Sequence, residues 1–280
     1  MTASPASVLA AARTLLFVPA DRPERFAKAP ASGADLVVLD LEDAVAPDAK
    51  TTAREHAVAW LAEHGGGVRI NAAGTDWHAD DVAAVAAHVC VVMVAKAESP
   101  EALTALAARL APGSAVLALV ETAAGVARAV AVAAAPGVDR LAFGSYDLAA
   151  ELGVSPDDRE AMAWSRGALV VASAAAGLPA PFDGVTGDIR DDDRLRSDVR
   201  ASARTGFSAK LCIHPRQVPV VHEALAPSAE ELAWAKAVVS AAAGGGVSVV
   251  DGRMVDKPVV ERARRLLATV RPAPPGEGPV

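Results

Sequence analysis

The sequence predicts an α/β fold in which eight parallel strands close into a (β/α)8 barrel, followed by a C-terminal helical and hairpin lid. Short apolar segments alternate with helix-like segments at regular spacing through most of the 280 residues, which is the rhythm of a barrel. No Gly-rich dinucleotide fingerprint follows any apolar segment, and this argues against an open, doubly wound sheet. The predicted architecture is a TIM barrel.

Apolar runs bounded by Gly, Pro or charged residues predict the eight strands. In chain order they cover residues 14–19, 35–41, 68–71, 89–94, 115–121, 140–148, 181–185 and 209–215. Helical composition, with capping or Pro-containing starts and Gly-containing ends, predicts the helices between them. These cover residues 21–33, 48–64, 75–88, 99–112, 122–133, 155–177 and 191–205.

The chain is predicted to have four parts, which are a mobile head at 1–12, the barrel at 13–225, a lid segment at 226–270 and a disordered tail at 271–280. Within the lid segment, helices are predicted at 228–243 and 258–270. Residues 244–246 predict a flexible joint, and Asp251 with Gly252 predicts the turn of a small hairpin. A hairpin and helix beyond such a joint are predicted to cover this barrel or that of a neighbouring subunit.

Composition excludes several classes of partner. The formal net charge is -7, whereas a nucleic-acid partner favours a basic surface. No segment reaches the roughly 18 uninterrupted apolar residues that span a bilayer, so no membrane partner is expected. The first residues lack the basic region of a signal peptide.

Cys90 and Cys212 lie in predicted strands, where buried free thiols are expected. A cytoplasmic protein is predicted.

Charged and polar residues gather at the predicted carboxyl ends of the strands, where barrel enzymes have their active sites. They are Asp21, Arg22, Asp40, Glu42, Asp43, Arg69, Lys96, Glu121, Asp147, Asp183 and His214. Strand alternation places Glu121 on one face with Leu119, and Asp147 on one face with Phe143. If both faces point inward, the two acids line the mouth of the barrel.

Several acids at one mouth repel each other unless a cation neutralises them. Mg²⁺ suits this set because it prefers oxygen ligands and is often held by one or two carboxylates plus the substrate. Arg69 is suited to clamp a substrate carboxylate through two parallel hydrogen bonds. The alternative interpretation is that these groups form structural salt bridges at the strand ends.

Several motifs together resemble the citrate lyase β-subunit-like branch of the HpcH/HpaI aldolase superfamily. They are the segments 13–19 (RTLLFVP), 40–45 (DLEDAV), 68–71 (VRIN), 119–122 (LVET), 143–148 (FGSYDL), 213–215 (IHP) and 251–256 (DGRMVD). The resemblance runs from about Arg13 to Leu267, in order. It implies a Mg²⁺-dependent (β/α)8 barrel, with Mn²⁺ as a substitute, that assembles as a homotrimer or hexamer. Members cleave or form a C–C bond between an acyl-CoA and a 2-oxo acid.

The resemblance also implies roles for individual residues. Glu121 and Asp147 correspond to the metal ligands of the family, and Arg69 corresponds to the arginine that binds the substrate carboxylate. Glu42 and Asp43 correspond to acids that hold metal-bound water.

Four further residues correspond to family positions outside this group. Asp256 matches a lid aspartate that serves as acid or base from an adjacent subunit. Arg22, Arg25 and Lys28 lie where members contact the phosphates of CoA, although a solvated helix face also explains these three residues.

Two positions depart from the family pattern. Tyr146 stands where a smaller or acidic residue is more usual, and Ala95 replaces the usual proline before Lys96. We expect Tyr146 to alter the shape of the oxo-acid pocket without changing the type of reaction.

The predicted function is Mg²⁺-dependent cleavage or formation of a 3-hydroxyacyl-CoA such as malyl-, citramalyl- or citryl-CoA. The first alternative is a citrate lyase β subunit acting on an acyl-carrier-protein thioester. A second is a CoA-independent 2-oxo-acid aldolase, which would use a histidine base; only His214 lies at a strand end. A third is a non-catalytic binding protein on a retained barrel.

Overall fold

Eight parallel strands form a closed barrel in a computed structural model that describes residues 3–242, 248–250 and 252–269. Each strand pairs with the next along the chain, and the last strand pairs with the first. The strands are β1 (Thr14–Pro19), β2 (Leu36–Asp40), β3 (Gly67–Ile70), β4 (Val91–Val94), β5 (Ala115–Val120), β6 (Val138–Phe143), β7 (Phe182–Asp183) and β8 (Ala209–Cys212). The predicted (β/α)8 barrel is confirmed.

Helices follow the strands, and side-chain caps define where several of them begin. The helices are α1 (Pro5–Ala11), α2 (Lys50–His64), α3 (His78–Val85), α4 (Pro100–Ala107), α5 (Ala123–Ala127), α6 (Ala129–Ala133), α7 (Ser145–Leu152), α8 (Ala163–Ala175), α9 (Asp192–Thr205) and α10 (Gln217–Ala224). Short 3₁₀ helices cover Pro23–Lys28, Pro30–Ser32 and Pro47–Ala49. Ser99 and Thr122 each accept a hydrogen bond from a backbone N–H of the first turn, which satisfies a donor that the helix leaves free.

The chain divides into two compact units, Met1–Leu225 and Ala226–Val280. In the second unit, the described elements are α11 (Ala229–Ala242), α12 (Lys257–Ala268) and the antiparallel hairpin of β9 (Ser248–Val250) and β10 (Arg253–Val255). A small apolar cluster of its own includes Ala235, Val238 and Val260. The predicted joint at 244–246, Asp251 of the predicted turn and the predicted tail at 271–280 lie outside the described residues. None of the helices described is long and apolar enough to cross a bilayer.

Alternation along the strands separates two apolar layers. Leu117 and Leu119 of β5 pack in a cluster inside the barrel, whereas Ala118 and Val120 pack in the larger cluster beneath the helices. Other interior residues are Leu15, Val38, Met93, Ala142, Phe182 and Leu211. The interior is therefore a filled core that supports the mouth from below, as in other barrels of this class.

The prediction that Asp147 lies on the inward face of a strand was wrong, although Asp147 does reach the mouth of the barrel. β6 ends at Phe143, and α7 begins at Ser145. Ala142 packs inside the barrel, while Phe143 packs in the outer cluster. Asp147 therefore lies in the first turn of a helix, because the apolar face of α7 and not strand alternation orients the residues after Gly144.

Residues 5–11 also differ from the prediction of a mobile head. They form α1, and Leu9 is fully buried in the interior cluster. Arg140 of β6 secures this segment from within the barrel, since its Nη1 donates to the backbone oxygens of Leu9 (2.6 Å) and Ala12 (2.8 Å). Its Nε donates to Ala180 O at 2.8 Å and its Nη2 to Ser208 Oγ at 2.9 Å. The start of the chain thus closes the amino-terminal end of the barrel.

We expect Arg140→Met to lower the free energy of unfolding by about 3 kcal/mol, because it leaves several buried carbonyl oxygens without a donor. Urea denaturation monitored by circular dichroism measures the change. Arg200→Met, at an exposed position of α9, is the matched control and should change stability by less than about 0.5 kcal/mol. Equal stability of the two variants would contradict the structural role of Arg140.

Candidate active site

A cavity of about 380 Å³ opens at the carboxyl ends of the strands in the first unit. Its polar lining consists of Asp40, Asp43, Arg69, Glu121, Ser145, Tyr146 and Asp147. Its apolar lining includes Phe17, Leu119, Phe143, Val185, Leu211 and Ile213. One side of the mouth is thus charged and the rest is largely apolar, as in many small-molecule sites.

A bidentate ion pair between Arg69 and Asp40 lies at the base of the charged side. Nε of Arg69 donates to Oδ1 of Asp40 at 2.7 Å, and Nη2 donates to Oδ2 at 2.6 Å. Nη1 lies 2.9 Å from Oε2 of Glu42. Although burial alone would lower the pKa of Arg69, the carboxylates of Asp40 and Glu42 raise it above its usual value. Arg69 is therefore permanently charged, and N–H groups of its guanidinium remain for a further carboxylate.

Asp40 and Lys50 fix the backbone that carries Glu42. Oδ1 of Asp40 also accepts from the backbone N–H of Glu42 (2.9 Å), and Oδ2 accepts from that of Ala44 (3.3 Å). The buried Nζ of Lys50 donates to the backbone oxygens of Leu41 (2.8 Å) and Glu42 (2.9 Å). Sequence reasoning identified Asp40 only as one strand-end acid, and it missed the role of Lys50 because a lysine at a helix start is ordinarily expected in solvent.

Lys96 links three of the predicted acids. Its Nζ lies 2.8 Å from Oε1 of Glu42 and 2.9 Å from Oδ2 of Asp147. Its backbone N–H donates to Oε1 of Glu121 at 2.8 Å, and its φ of 49° is the one positive value among described residues other than glycine. Burial alone would lower the pKa of Lys96, but Glu42 and Asp147 raise it. Sequence reasoning recognised Lys96 at a strand end and assigned it no role.

Glu121 is almost completely enclosed, with 3% of its surface exposed. Burial and the Glu42 carboxylate raise the pKa of Glu121 to about 8, against the opposing effects of Arg69 and the Lys96 backbone N–H. Gly144 packs directly on it, because a Cβ at this position would overlap Cβ of Glu121. Gly144 therefore allows the carboxylate to sit beside the start of α7.

The donor set fits a hard divalent cation that keeps part of its water shell. Glu121 and Asp147 both line the cavity, and Asp147 is 35% exposed. The described part of the chain has no cluster of three or more potential ligands among His, Cys, Asp and Glu. Oε2 of Glu42 is buried without a hydrogen bond, although Arg69 is nearby. Proteins often hold Mg²⁺ with two carboxylates in a solvent-accessible cavity of this kind.

The remaining residues to which the resemblance assigns a role are all exposed, but they do not all lie at the cavity. Asp43 is exposed and lines the cavity. Arg22, Arg25 and Lys28 lie in or next to the 3₁₀ helix Pro23–Lys28 and are exposed. Asp256, in the second unit, is exposed and caps α12 by accepting from the backbone N–H of Val259 at 3.2 Å.

Two strand-end residues do not join the mouth as expected. Asp183 is buried in ion pairs with Lys210 (2.8 Å) and Arg166 (3.0 Å), because it follows an inward-facing Phe182 and faces the helices. Nδ1 of His214 accepts from the backbone N–H of Arg216 at 3.2 Å, next to the start of α10. His214 therefore has a structural role in this turn and does not line the cavity.

A closed parallel barrel with an arginine, a lysine and several acids at the carboxyl ends of its strands is typical of enzymes that bind small molecules there. The sequence matches the HpcH/HpaI aldolase/citrate lyase family over residues 13–215. The chain belongs to this family, which confirms the resemblance drawn from the sequence motifs.

Similar proteins extend the comparison over the second unit. A citrate lyase subunit beta-like protein of Mycobacterium tuberculosis is 42% identical over 270 residues, which cover 90% of this chain and 93% of that protein. A (3S)-malyl-CoA thioesterase of Cereibacter sphaeroides is 35% identical over 268 residues, covering 91% and 93%. The crystal structure of protein CitE from Mycobacterium tuberculosis in complex with magnesium, acetoacetate and coenzyme A superposes with a TM-score of 0.83 at 41% identity, covering 93% of this chain and 98% of that one.

We expect Asp40→Asn to lower the free energy of unfolding by about 3 kcal/mol, because it leaves the buried Arg69 with a weaker partner. Chemical denaturation measures the change. Asp48→Asn, at an exposed position in a 3₁₀ helix, is the control and should leave stability unchanged. An Asp40→Asn protein as stable as the control would contradict the importance of this ion pair.

Proposed function

We propose that this protein is a Mg²⁺-dependent carbon–carbon lyase that cleaves or forms a 3-hydroxyacyl-CoA thioester, with an acyl-CoA and a 2-oxo acid as the partners. One observation carries the proposal: an oriented Arg69 lies in the same cavity as the two carboxylates of Glu121 and Asp147. Membership of an aldolase and citrate lyase family supports it. So does the similarity to a protein that binds magnesium, acetoacetate and coenzyme A.

Glu121 and Asp147 would hold Mg²⁺, while Glu42 and Asp43 would accept hydrogen bonds from its water molecules. When bound, Mg²⁺ supplies Lewis-acid stabilisation of negative charge on substrate oxygens. Lys96 contacts both Glu42 and Asp147, so its positive charge offsets the repulsion between these two carboxylates and holds them near each other.

Arg69 binds the carboxylate of the oxo acid and neutralises its charge. In the direction of cleavage, a base removes the proton of the 3-hydroxyl group, and the C–C bond breaks as the carbonyl of the 2-oxo acid forms. The bonding electrons leave with the acyl-CoA as a thioester enolate. An acid then protonates the enolate carbon, and we assign this step to Asp256.

Further parts of the proposal concern assembly and CoA. Residues 226–270 act as a lid, contributed to the site by an adjacent subunit of a homotrimer or hexamer. Arg22, Arg25 and Lys28 attract the phosphates of CoA, since their side chains are exposed and basic. A cytoplasmic location belongs to the same proposal, and the two free, buried cysteines are compatible with a reducing compartment.

The rival functions make different use of the site. A CoA-independent aldolase would use a histidine base, but no histidine is among the described residues that line the cavity. A citrate lyase β subunit would require a carrier-protein thioester and would leave free CoA thioesters unreacted. A non-catalytic barrel would bind neither Mg²⁺ nor acyl-CoA. The 35% identical thioesterase raises simple hydrolysis as a further outcome.

A panel of free CoA thioesters tests the proposal. Malyl-, citramalyl- and 3-hydroxy-3-methylglutaryl-CoA are incubated with the protein and Mg²⁺, and the products are separated by mass. The expected products are an acyl-CoA and a 2-oxo acid from malyl- or citramalyl-CoA, whereas cleavage of 3-hydroxy-3-methylglutaryl-CoA would give acetyl-CoA and the 3-oxo acid acetoacetate. Free CoA with an intact hydroxy acid would indicate hydrolysis, and unreacted thioesters would contradict the proposal.

We expect Glu121→Ala to lower kcat/KM by about 10³-fold, because it removes one of two carboxylates that hold the metal. Glu121→Gln keeps the shape of the side chain and should show the same loss, which separates loss of charge from misfolding. Glu160→Ala, at an exposed position, is the control. Normal turnover by a folded Glu121→Gln protein would contradict the assignment.

A further inference from the structure

Tyr146, the single tyrosine of the chain, forms part of the cavity wall beside Asp147. It lies in the first turn of α7, and 41% of its surface is exposed. We propose that Tyr146 is a specificity-determining residue that restricts the 2-oxo acid to a small, uncharged side chain. This inference rests on the proposed lyase function and names the class of oxo acid that the same site accepts.

The phenol of Tyr146 is held against the segment that follows β7. A Cβ at Gly187 would overlap the hydroxyl oxygen of Tyr146, so the ring reaches the backbone at this point. One residue earlier in α7, Ser145 packs on Gly184 in the same way, since a Cβ at Gly184 would lie 2.5 Å from Ser145 Oγ. The ring therefore has no room to move toward this segment.

Residues 184–187 are themselves fixed from outside the barrel. Oγ1 of the buried Thr186 donates to Oδ2 of Asp198 at 2.9 Å. Asp198 in turn accepts from Arg159 at 2.8 Å and from Arg194 at 3.1 Å. A loop held through a buried hydroxyl and two ion pairs is a stiff support for the tyrosine.

Gln217 connects this support to the neighbouring part of the wall. Its Nε2 donates to the backbone oxygen of Thr186 at 2.8 Å, and its Oε1 accepts from the backbone N–H of Ile213 at 2.9 Å. Gln217 is 2% exposed, so both hydrogen bonds are shielded from water. The side chains of Tyr146, Val185 and Ile213 thus line one rigid wall of the cavity.

The composition of this wall determines what it accepts. The carboxylate and the reacting oxygen of the oxo acid are taken by the charged side, which leaves the remaining side chain to face the wall. Among the described residues that line the cavity, Arg69 is the one cation, and it is already assigned to the first carboxylate. The nearby ammonium of Lys96 is engaged by Glu42 and Asp147. A second carboxylate would therefore meet an aromatic and aliphatic surface without a partner, which is costly.

Binding of an oxo-acid series tests the inference. Glyoxylate, pyruvate, 2-oxobutyrate, 2-oxopentanoate and oxaloacetate are titrated into the protein by calorimetry in the presence of Mg²⁺, and kcat/KM is measured for condensation with acetyl-CoA. For the unsubstituted protein, we expect affinity to fall by about tenfold for each methylene beyond pyruvate, and oxaloacetate to bind more weakly than pyruvate.

Tyr146→Ala should raise the affinity for 2-oxopentanoate relative to pyruvate by about tenfold or more, because it opens the wall. Tyr146→Phe keeps the ring and should preserve the original order of preference. The same order in Tyr146→Ala as in the unsubstituted protein would overturn the inference, as would oxaloacetate binding better than pyruvate.

Gly187→Ala provides a second test, because it disturbs the contact between Gly187 and Tyr146. In the unsubstituted background the added methyl group displaces the phenol, so the ratio of affinities for pyruvate and 2-oxopentanoate should change. In the Tyr146→Ala background the same substitution should have no effect on that ratio. Gly167→Ala, where a Cβ has no neighbour within 4 Å, is the control. Equal effects of Gly187→Ala in both backgrounds would overturn the proposed contact.

Failure of the two proposals can be distinguished. A protein that binds no oxo acid and turns over no thioester contradicts the lyase function, and the inference about Tyr146 falls with it. Turnover with a preference that does not depend on Tyr146 overturns the inference alone.

Discussion

The ion pair between Arg69 and Asp40 is the interaction on which the mouth of the barrel depends. Asp40 orients the guanidinium and also accepts the backbone N–H groups of Glu42 and Ala44, so one carboxylate positions both a cation and an acid. Arg69 and Lys96 then face a larger number of carboxylates, those of Asp40, Glu42, Asp43, Glu121 and Asp147. This excess of negative charge in a partly buried site favours a bound cation.

The rest of the barrel makes this arrangement rigid. A filled interior supports the strand ends, and Arg140 closes the opposite end against α1. At the mouth, Gly144 and Gly187 permit close contacts that a larger residue would block, the first with Glu121 and the second with Tyr146. Short-range contacts thus restrict the side chains on both the charged and the apolar side of the cavity. A lyase needs such fixed side chains to orient its substrate.

The fold and most of the charged residues could be predicted, because strand–helix rhythm and strand-end position are encoded locally. Alternation placed Glu121 correctly but failed for Asp147, since β6 ends at Phe143 and a helix begins at Ser145. The roles of Lys50, Lys96 and Arg140 could not be predicted from sequence. Each depends on partners that are distant along the chain, and a lysine or arginine is ordinarily expected at the surface. The α1 segment was missed because a short helix buried by a single leucine has little periodicity to recognise.

The central claim is that the metal and Arg69 hold the oxo acid together, at one site. A calorimetric titration of pyruvate into the protein with Mg²⁺, and again after its removal by a chelator, measures this coupling directly. The account predicts that removing Mg²⁺ weakens pyruvate binding by about tenfold or more, because Arg69 alone then neutralises the negative charge of pyruvate. Equal affinity for pyruvate with and without Mg²⁺ would contradict it.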